Sequence, residues 1–526
     1  MAQDITGTAL AANSVAQGAK PLIQTLFDWA DDGFGNEGDW TDETTYLKSA
    51  SGRSRAVGWG KSLAGIGVGV ADDATLVLKN VEETGGNSGF RFSQTNANGS
   101  LYASIGEGAA RGKRAAVKLG YYNGATPQSV YMLKGYLESL QENYRDRQVT
   151  ITLRDRAMAA ALSKHATTLQ ENQTAAQYLT TIAALMDRDP PGAGEYSYDT
   201  GYVLLPFAWL EDEPIWKEMG LVAESQGGRI WFDHAGVLRF EDGTHFVRAR
   251  ADAWRNPLVS QFTFTTNDFQ ALNPHYEPHE VVNHVIVEYS PRYTSFVQIV
   301  YTAAETFIVP PSGSITVRCE HRYPVASIAT PAASTDFKAG TAGGTDLTDD
   351  ITLTLTTKAI YTDVEIANAN ADYAAYIYKL QLRGYPVLSE QPIKYECEDA
   401  TSIAKFGRQT LPIRNPYVVS YRHAQSIGDL LLARFKDPPL LIELSGVPGV
   451  PYLEPGDRIT VTETKTGINT DFVIGELDWR FDPGGGGGLI FREDIQAVRA
   501  SDMYPYSDYF VLGTSEFGDD DGRLFW

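Results

Sequence analysis

Few stretches of the chain carry residue types that could do chemistry. Of eight histidines, three fall with a glutamate in "HYEPHEVVNH": His275, His279, Glu280 and His284. A zinc-protease helix needs H-E-x-x-H, which sets two imidazoles one turn apart on one face. Here the histidine after His279 and Glu280 arrives one residue late, Pro278 interrupts, and the segment alternates like a strand. It reads as a strand entry carrying surface histidines. "DWADDGFGNEGDWTDET" (28–44) is acidic, but Asp28, Asp31, Asp32, Asp39 and Asp42 miss the D-x-[DN]-x-[DN]-G register of a calcium loop, so a solvated turn between strands is expected. Cys319 lies beside Glu320 and His321, yet neighbours along a strand point to opposite faces. Glu211, Asp212 and Glu213 near Trp209 and Trp216 could form a sugar cleft with paired carboxylates; the plainer reading is a capped start to the helix in "PIWKEMG". "GGGGG" (484–488) lacks the Lys-Ser/Thr of a phosphate loop and reads as a hairpin connection. No catalytic residue, metal ligand or cofactor site is expected, and the chain reads as non-enzymatic.

The elements that would position these residues are mostly strands. "PLIQTLFDW", "ATLVLKN", "AAVKLGYY" and "QSVYMLKGYLESL" are β-type runs joined by NG and GG turns. They predict one β-barrel over 21–149, after an N-terminal arm (1–20). Residues 150–250 predict a small α/β unit. Its signs are a helix at "TAAQYLTTIAALM" capped by Thr174 and a hairpin in which "RIWFD" and "VLRFED" are joined through "HAG". Residues 305–395 alternate as a β-sandwich inserted into a second barrel, formed by 251–304 plus 396–500. Tyr361, Tyr373, Tyr376 and Tyr378 of that insertion could stack on sugars, although a tyrosine-rich strand pair more simply fills a core. A helix is expected in "SIGDLLLARFKDPPLLIELS", with Asp429 near its start and Pro438-Pro439 stopping it. In "EPGDRITV", Pro455-Gly456 predicts a type II turn, and Asp457 is placed to accept backbone amides beyond it. Residues 501–526 form an aromatic, acidic tail. The fold class is mainly β and multidomain.

Composition agrees. The 526 residues are 43% hydrophobic and 11% aromatic, enough for several cores. The net charge of −22 gives no basic footprint for nucleic acid. Two cysteines without a CxxC exclude zinc ribbons and a disulfide-stapled scaffold. "MAQDITGTALAANSVAQGAK" lacks the basic and apolar regions of a signal peptide, and no apolar run approaches the ~20 residues of a membrane span. Folding in a reducing cytoplasm is expected.

One stretch fits none of these headings. "LKNVEETGGNSGFRFSQTNANGSLYASI" (78–105) is a Gly/Asn/Ser/Thr connection that carries Phe90, Phe92, Leu101 and Tyr102. It resembles the tail-tip hub proteins of long-tailed bacteriophages, also called minor tail proteins or baseplate hubs. In that family a strand ending in L-x-N leads to G-R-F-S-P-L-N and then S-P-L-Y. Asn80, Arg91-Phe92-Ser93, Asn96, Ser100, Leu101 and Tyr102 fall in this order. Gln94-Thr95 stands where Pro-Leu is usual, Gly99-Ser100 where Ser-Pro is usual, and the loop before Phe90 is enlarged. "YMLKGYLESL", "VTITLRDRAMAAALSKH", "GGRIWFDHAGVLRFED", "ANADYAAYIYKLQLRGYPV", "LLLARFKDPPL" and "YLEPGDRITVTE" follow in family order, so that the resemblance spans about residues 40–490.

The resemblance implies two tail-tube-like β-barrels, a small α/β domain and an inserted β-sandwich. It implies a homotrimer at the virion's tail tip, assembled in the host cytoplasm. That trimer would meet the distal tail ring protein, the tape-measure protein and tip or fibre proteins. It would close the tube and pass phage DNA through its lumen without specific binding. Phe90, Phe92, Leu101, Tyr102 and Asp457 become packing or interface candidates, with Phe92 and Tyr102 expected inside the barrel and 81–89 reaching toward a neighbour. Alternatives are receptor or glycan binding at the host cell surface through the inserted sandwich, and a cell-wall-degrading tip enzyme. The second is disfavoured because the chain ends soon after its last motif.

Overall fold

The computed structural model describes residues 20–55, 67–69, 71–83, 89–123, 126–245, 258–483 and 489–503. The period-two patterns become strands. Asp73–Lys79 turns Ala74, Leu76 and Leu78 inward. Gln148–Asp155 does the same with Val149, Ile151 and Leu153, and the two pair antiparallel with Leu76 opposite Ile151. Pro21–Asp28, Arg114–Asn123 and Thr126–Asn143 extend this meander. The 18-residue strand Thr126–Asn143 meets bulges against both neighbours, at Val117/Lys118 and Leu137/Ser139. Each bulge bends the sheet.

The second lobe uses strands far along the chain: Phe262–Thr265, Ala271–Tyr276, Leu440–Pro448, Arg458–Glu463, Ile468–Pro483 and Leu489–Arg499. Both lobes belong to one 13-stranded sheet. The junction is the ladder between Leu47–Arg55 and Ile468–Pro483, from Ala50 opposite Phe481 to Arg55 opposite Glu476. One core runs under both lobes, from Phe27, Leu76 and Ile151 to Phe472, Leu477 and Phe491. At the seam Gly52 lies opposite Trp479. A Cβ at position 52 would sit 2.5 Å from the indole, so the absence of a side chain lets Trp479 lie over the neighbouring strand, where it is 1% exposed. Across the core the Tyr121 hydroxyl donates to the Gly449 carbonyl at 2.6 Å, and its ring meets Phe491 at 6.2 Å.

The α/β unit packs its own core from Ala175–Ala183, Ile215–Ser225 and the hairpin Arg229–Phe232/Leu238–Glu241. Thr174 and Gln177 form a reciprocal capping box at the first of these helices, satisfying two helix-end amides. The side-chain cap expected at the start of the helix in "PIWKEMG" is absent. Pro214 holds the cap position without a side-chain bond, and Asp212 takes a φ of 64° at a bulge between Glu211 and Glu213. A third layer joins His284–Tyr289, Ile393–Glu398 and Thr410–Arg414 to the helix Tyr421–Phe435. That helix starts earlier than "SIGD" suggested, because Ser420 accepts the His423 amide. His284 is buried on Thr410 rather than exposed.

The insertion is a sandwich of a six-stranded and a three-stranded sheet around one core. Its axis is Ala375–Ser389, which pairs with five other strands. Its tyrosines do not fill that core. Tyr373 and Tyr378 are exposed, Tyr376 is half-buried, and Tyr361 lies under the Arg318 guanidinium. Among the described residues no helix is long and apolar enough to cross a membrane.

Trp479→Ala removes the aromatic cover of the seam and should cost about 3–5 kcal/mol. Urea unfolding followed by intrinsic fluorescence measures it; a loss under about 1 kcal/mol would show that the seam carries little of the stability.

Candidate functional site

The 78–105 connection is knitted inward. Asn80, 2% exposed, accepts the Phe92 amide on its side chain at 3.0 Å and donates its own amide to the Arg147 carbonyl. Phe92 is thereby fixed in the core, edge-on to Tyr46. Arg91 spans the connection. Its guanidinium donates through Nε and Nη2 to the two oxygens of Glu43, at 3.0 and 2.9 Å, and through Nη1 to Glu83 at 3.2 Å. It also stacks on Tyr46 at 4.8 Å. Burial alone would lower the Arg91 pKa; Glu43 outweighs it and the net shift is upward. Glu83 then accepts the Ser100 amide at 3.0 Å and its hydroxyl, at the first turn of the short helix Ser100–Ile105.

That helix was not legible in a stretch read as loop. Leu101 is buried on its inner side and Tyr102 is only half-buried. Phe90 is half-buried, edge-on to the exposed Tyr144 at 5.5 Å. Of the segment expected to reach toward a neighbour, 84–88 lies outside the described residues. Asp457 ends the turn Glu454–Asp457, whose Gly456 has a φ of 100°, the sign a type II turn demands at that position. The Asp457 side chain accepts the Glu454 amide at 2.9 Å; it reaches back across the turn rather than beyond it.

The acidic loop is solvated at Asp31, Asp32, Asp39 and Asp42, as expected, but it is also braced. Asp28 accepts the Asp32 and Gly33 amides at 2.7 and 3.0 Å. Arg114 donates to Asp28, Asp31 and Asp189. Glu37 pairs with Lys118 and Lys134 and accepts the Tyr131 hydroxyl. Burial would raise the Asp28 pKa, but the two amides and Arg114 bring it below the usual carboxylate range. Among the described residues no group of three or more His, Cys, Asp or Glu side chains is placed to hold a metal ion. Cys319 is fully buried, and burial pushes its thiol up to about 11.

One constellation escaped the sequence because its members are far apart. Ser54 Oγ lies 2.7 Å from His234 Nε2, and Glu454 Oε1 lies 3.8 Å from His234 Nδ1. Nucleophile, base and carboxylate types therefore line up as in a hydrolytic triad. Ser54 is 1% exposed and His234 2%, so a substrate has no approach to the hydroxyl. The group is instead a polar knot joining both lobes to the α/β hairpin. Two more carboxyls border it: Asp72 lies 3.8 Å from His234 Nε2, and its amide donates to Asp155. Burial pushes Asp155 up to about 7 and Asp72 well above its ordinary value.

No protein-family model matches the sequence, and no curated protein matches it. Solved structures do. A tail protein from Neisseria meningitidis MC58 aligns over 93% of this chain and 99% of its own, at 11% identity and a TM-score of 0.48. The 43 kDa tail protein of prophage MuSo2 from Shewanella oneidensis aligns over 91% and 99%, at 13% identity and a TM-score of 0.45. Prophage tail protein gp18 from Listeria monocytogenes EGD-e aligns over 90% and 94%, at 8% identity and a TM-score of 0.39. All three are tail proteins.

Arg91→Met should destabilise the chain by about 3 kcal/mol, because it leaves the buried Glu43 carboxylate without its cation. Chemical denaturation at neutral pH measures this; an unchanged midpoint would mean that the clamp is not structural. The raised carboxyls set the pH dependence. Burial holds Glu493 up to about 8 against the Val450 amide, and Asp155 lies near 7. Such groups bind protons more tightly folded than unfolded, so the stability they lend is full below about pH 4 and fades as pH rises to the folded pKa. The thermal midpoint should therefore fall between pH 5.5 and 8.5, and Glu493→Gln should make that fall shallower. A midpoint that rises over this range contradicts the assignment.

Proposed function

We propose that this chain is a structural hub of a bacteriophage tail tip. In this reading it forms a homotrimeric ring that closes the tail tube. The distal tail ring protein and tape-measure protein lie on one side, and tip or fibre proteins on the other. The first lobe (21–149) and the second (251–304 with 396–500) act as the two tube-like units, 150–250 as the α/β unit, and 305–395 as the insertion. Residues 1–20 and 501–526 act as arm and tail. The chain has no enzymatic role in this reading.

The observation that carries it is that the family-like residues form one physical unit. Asn80, Arg91, Phe92, Ser100 and Leu101, which match the hub motif in order, converge through Asn80–Phe92 and Arg91–Glu83–Ser100. The charge supports the passage of DNA. A net charge of −22 repels phosphate, so DNA can move past such a surface without the cation contacts that produce tight binding. A cluster of exposed apolar side chains on the segment leading into the insertion, Tyr293, Phe296, Val297 and Ile299, gives neighbouring proteins something to bury.

A second reading draws on the exposed tyrosines. Tyr373 and Tyr378 are 58% and 57% exposed, which suits sugar stacking on the host cell surface better than core filling.

The hub reading predicts a stable homotrimer with a central opening at micromolar concentration, measured by sedimentation and electron microscopy, and antibody label at the tail tip of the particle. A monomer that also fails to bind neighbouring tail proteins, or label on the capsid, would overturn it.

A further inference from the structure

The residues once read as a helix start line a cavity of about 180 Å³. It lies where the α/β unit, the neck of the insertion and the third layer meet. Trp209, Glu211, Glu213, Glu218, Arg292 and Tyr417 form its principal walls. The backbone beneath them is unusual. A bulge separates Glu211 from Glu213, and Asp212 between them takes a left-handed φ of 64°. Non-glycine residues in that conformation, and bulges that re-aim side chains, concentrate at functional sites.

The side chains are complementary in type. The Arg292 guanidinium carbon lies over the Trp209 ring, 4.8 Å from its centroid, and among the described residues Arg292 forms no salt bridge, although Glu211 and Glu218 line the same cavity. Burial lowers its pKa, against the pull of Tyr417, Glu211 and Glu218. Glu211 accepts the Trp209 indole N–H at 2.7 Å, which fixes one oxygen. Glu213 pairs with Lys217 at 3.2 Å. Glu218 accepts the Tyr417 hydroxyl, and burial lifts its carboxyl to about 7.

Two cations, Arg292 and Lys217, thus face two carboxylates, Glu211 and Glu213, while the third carboxyl, Glu218, is taken up by the Tyr417 hydroxyl. This balance offers no net field to an anion or to a metal ion. It does offer acceptors, donors and an indole wall within a small volume. Drug-sized ligands occupy pockets of roughly 300–1,000 Å³, so the space here suits one ring.

We propose that this cavity binds a single neutral sugar residue, its hydroxyls donating to Glu211 and Glu213 and accepting from Arg292, with the Trp209 indole as a side wall. Such a site would let the protein hold the end of a surface saccharide, and it is separate from the tyrosine face of the insertion. The proposal does not depend on trimer formation.

Saturation-transfer NMR on the full chain, with glucose, galactose and N-acetylglucosamine offered singly at millimolar concentration, tests it. Transfer to the ring protons of at least one sugar is expected. Arg292→Met and Glu211→Gln should each weaken binding about tenfold or more, and Tyr378→Ala should leave it unchanged. Absence of transfer from all three sugars, or transfer that survives both Arg292→Met and Glu211→Gln, would overturn the proposal. Circular dichroism and sedimentation of the variants separate loss of the pocket from loss of fold or assembly.

Discussion

The antiparallel ladder between Leu47–Arg55 and Ile468–Pro483 is the constraint on which the rest of the molecule depends. Without it there would be two small sheets, each with an open edge and half a core. With it, one core runs from Phe27 to Phe491. Ion pairs decorate the ladder, with Arg53 on Asp478 and Glu476, but Arg53 is 43% exposed. Exposed pairs contribute about 0–1 kcal/mol, whereas a buried aromatic contributes several. The indole of Trp479 over Gly52 therefore outweighs the salt bridges above it. The Ser54–His234–Glu454 knot sits at the same junction and fixes the hairpin of the α/β unit against both lobes.

Charge is arranged with similar economy. The chain has an excess of acid, yet several of its arginines are turned inward. Arg114 gathers Asp28, Asp31 and Asp189, Arg91 gathers Glu43 and Glu83, and Arg229 holds Glu241 at 2.6 Å. Each of these cations is committed to an internal carboxylate and is withdrawn from the exterior.

Much of the architecture was legible where the determinants are local. Alternation located Asp73–Lys79 and Gln148–Asp155, Thr174 with Gln177 marked a helix start, and the "HAG" hairpin formed where it was read. What escaped was decided at long range. Ser100–Ile105 is helical although its leading amide is held by Glu83, 17 residues upstream. Arg91 finds Glu43 across 48 residues. Asp28 gives no sign in sequence of Arg114, which braces the base of the acidic loop. The pocket of Trp209 and Glu218 needs Arg292 and Tyr417 from other layers. Residue types were visible in each case, but their convergence was not.

The seam also imposes an order on synthesis. Arg53 and Asp478 stand 425 residues apart, so the partner of Leu47–Arg55 leaves the ribosome long after that strand does. Until then the first lobe presents an unpaired strand edge, the kind of template that recruits other chains. Contacts of such separation also form slowly, because loop closure precedes their reward. A nascent chain of this design depends on protection of that edge during translation, and its yield should respond to chaperone supply and elongation rate more than its final stability suggests.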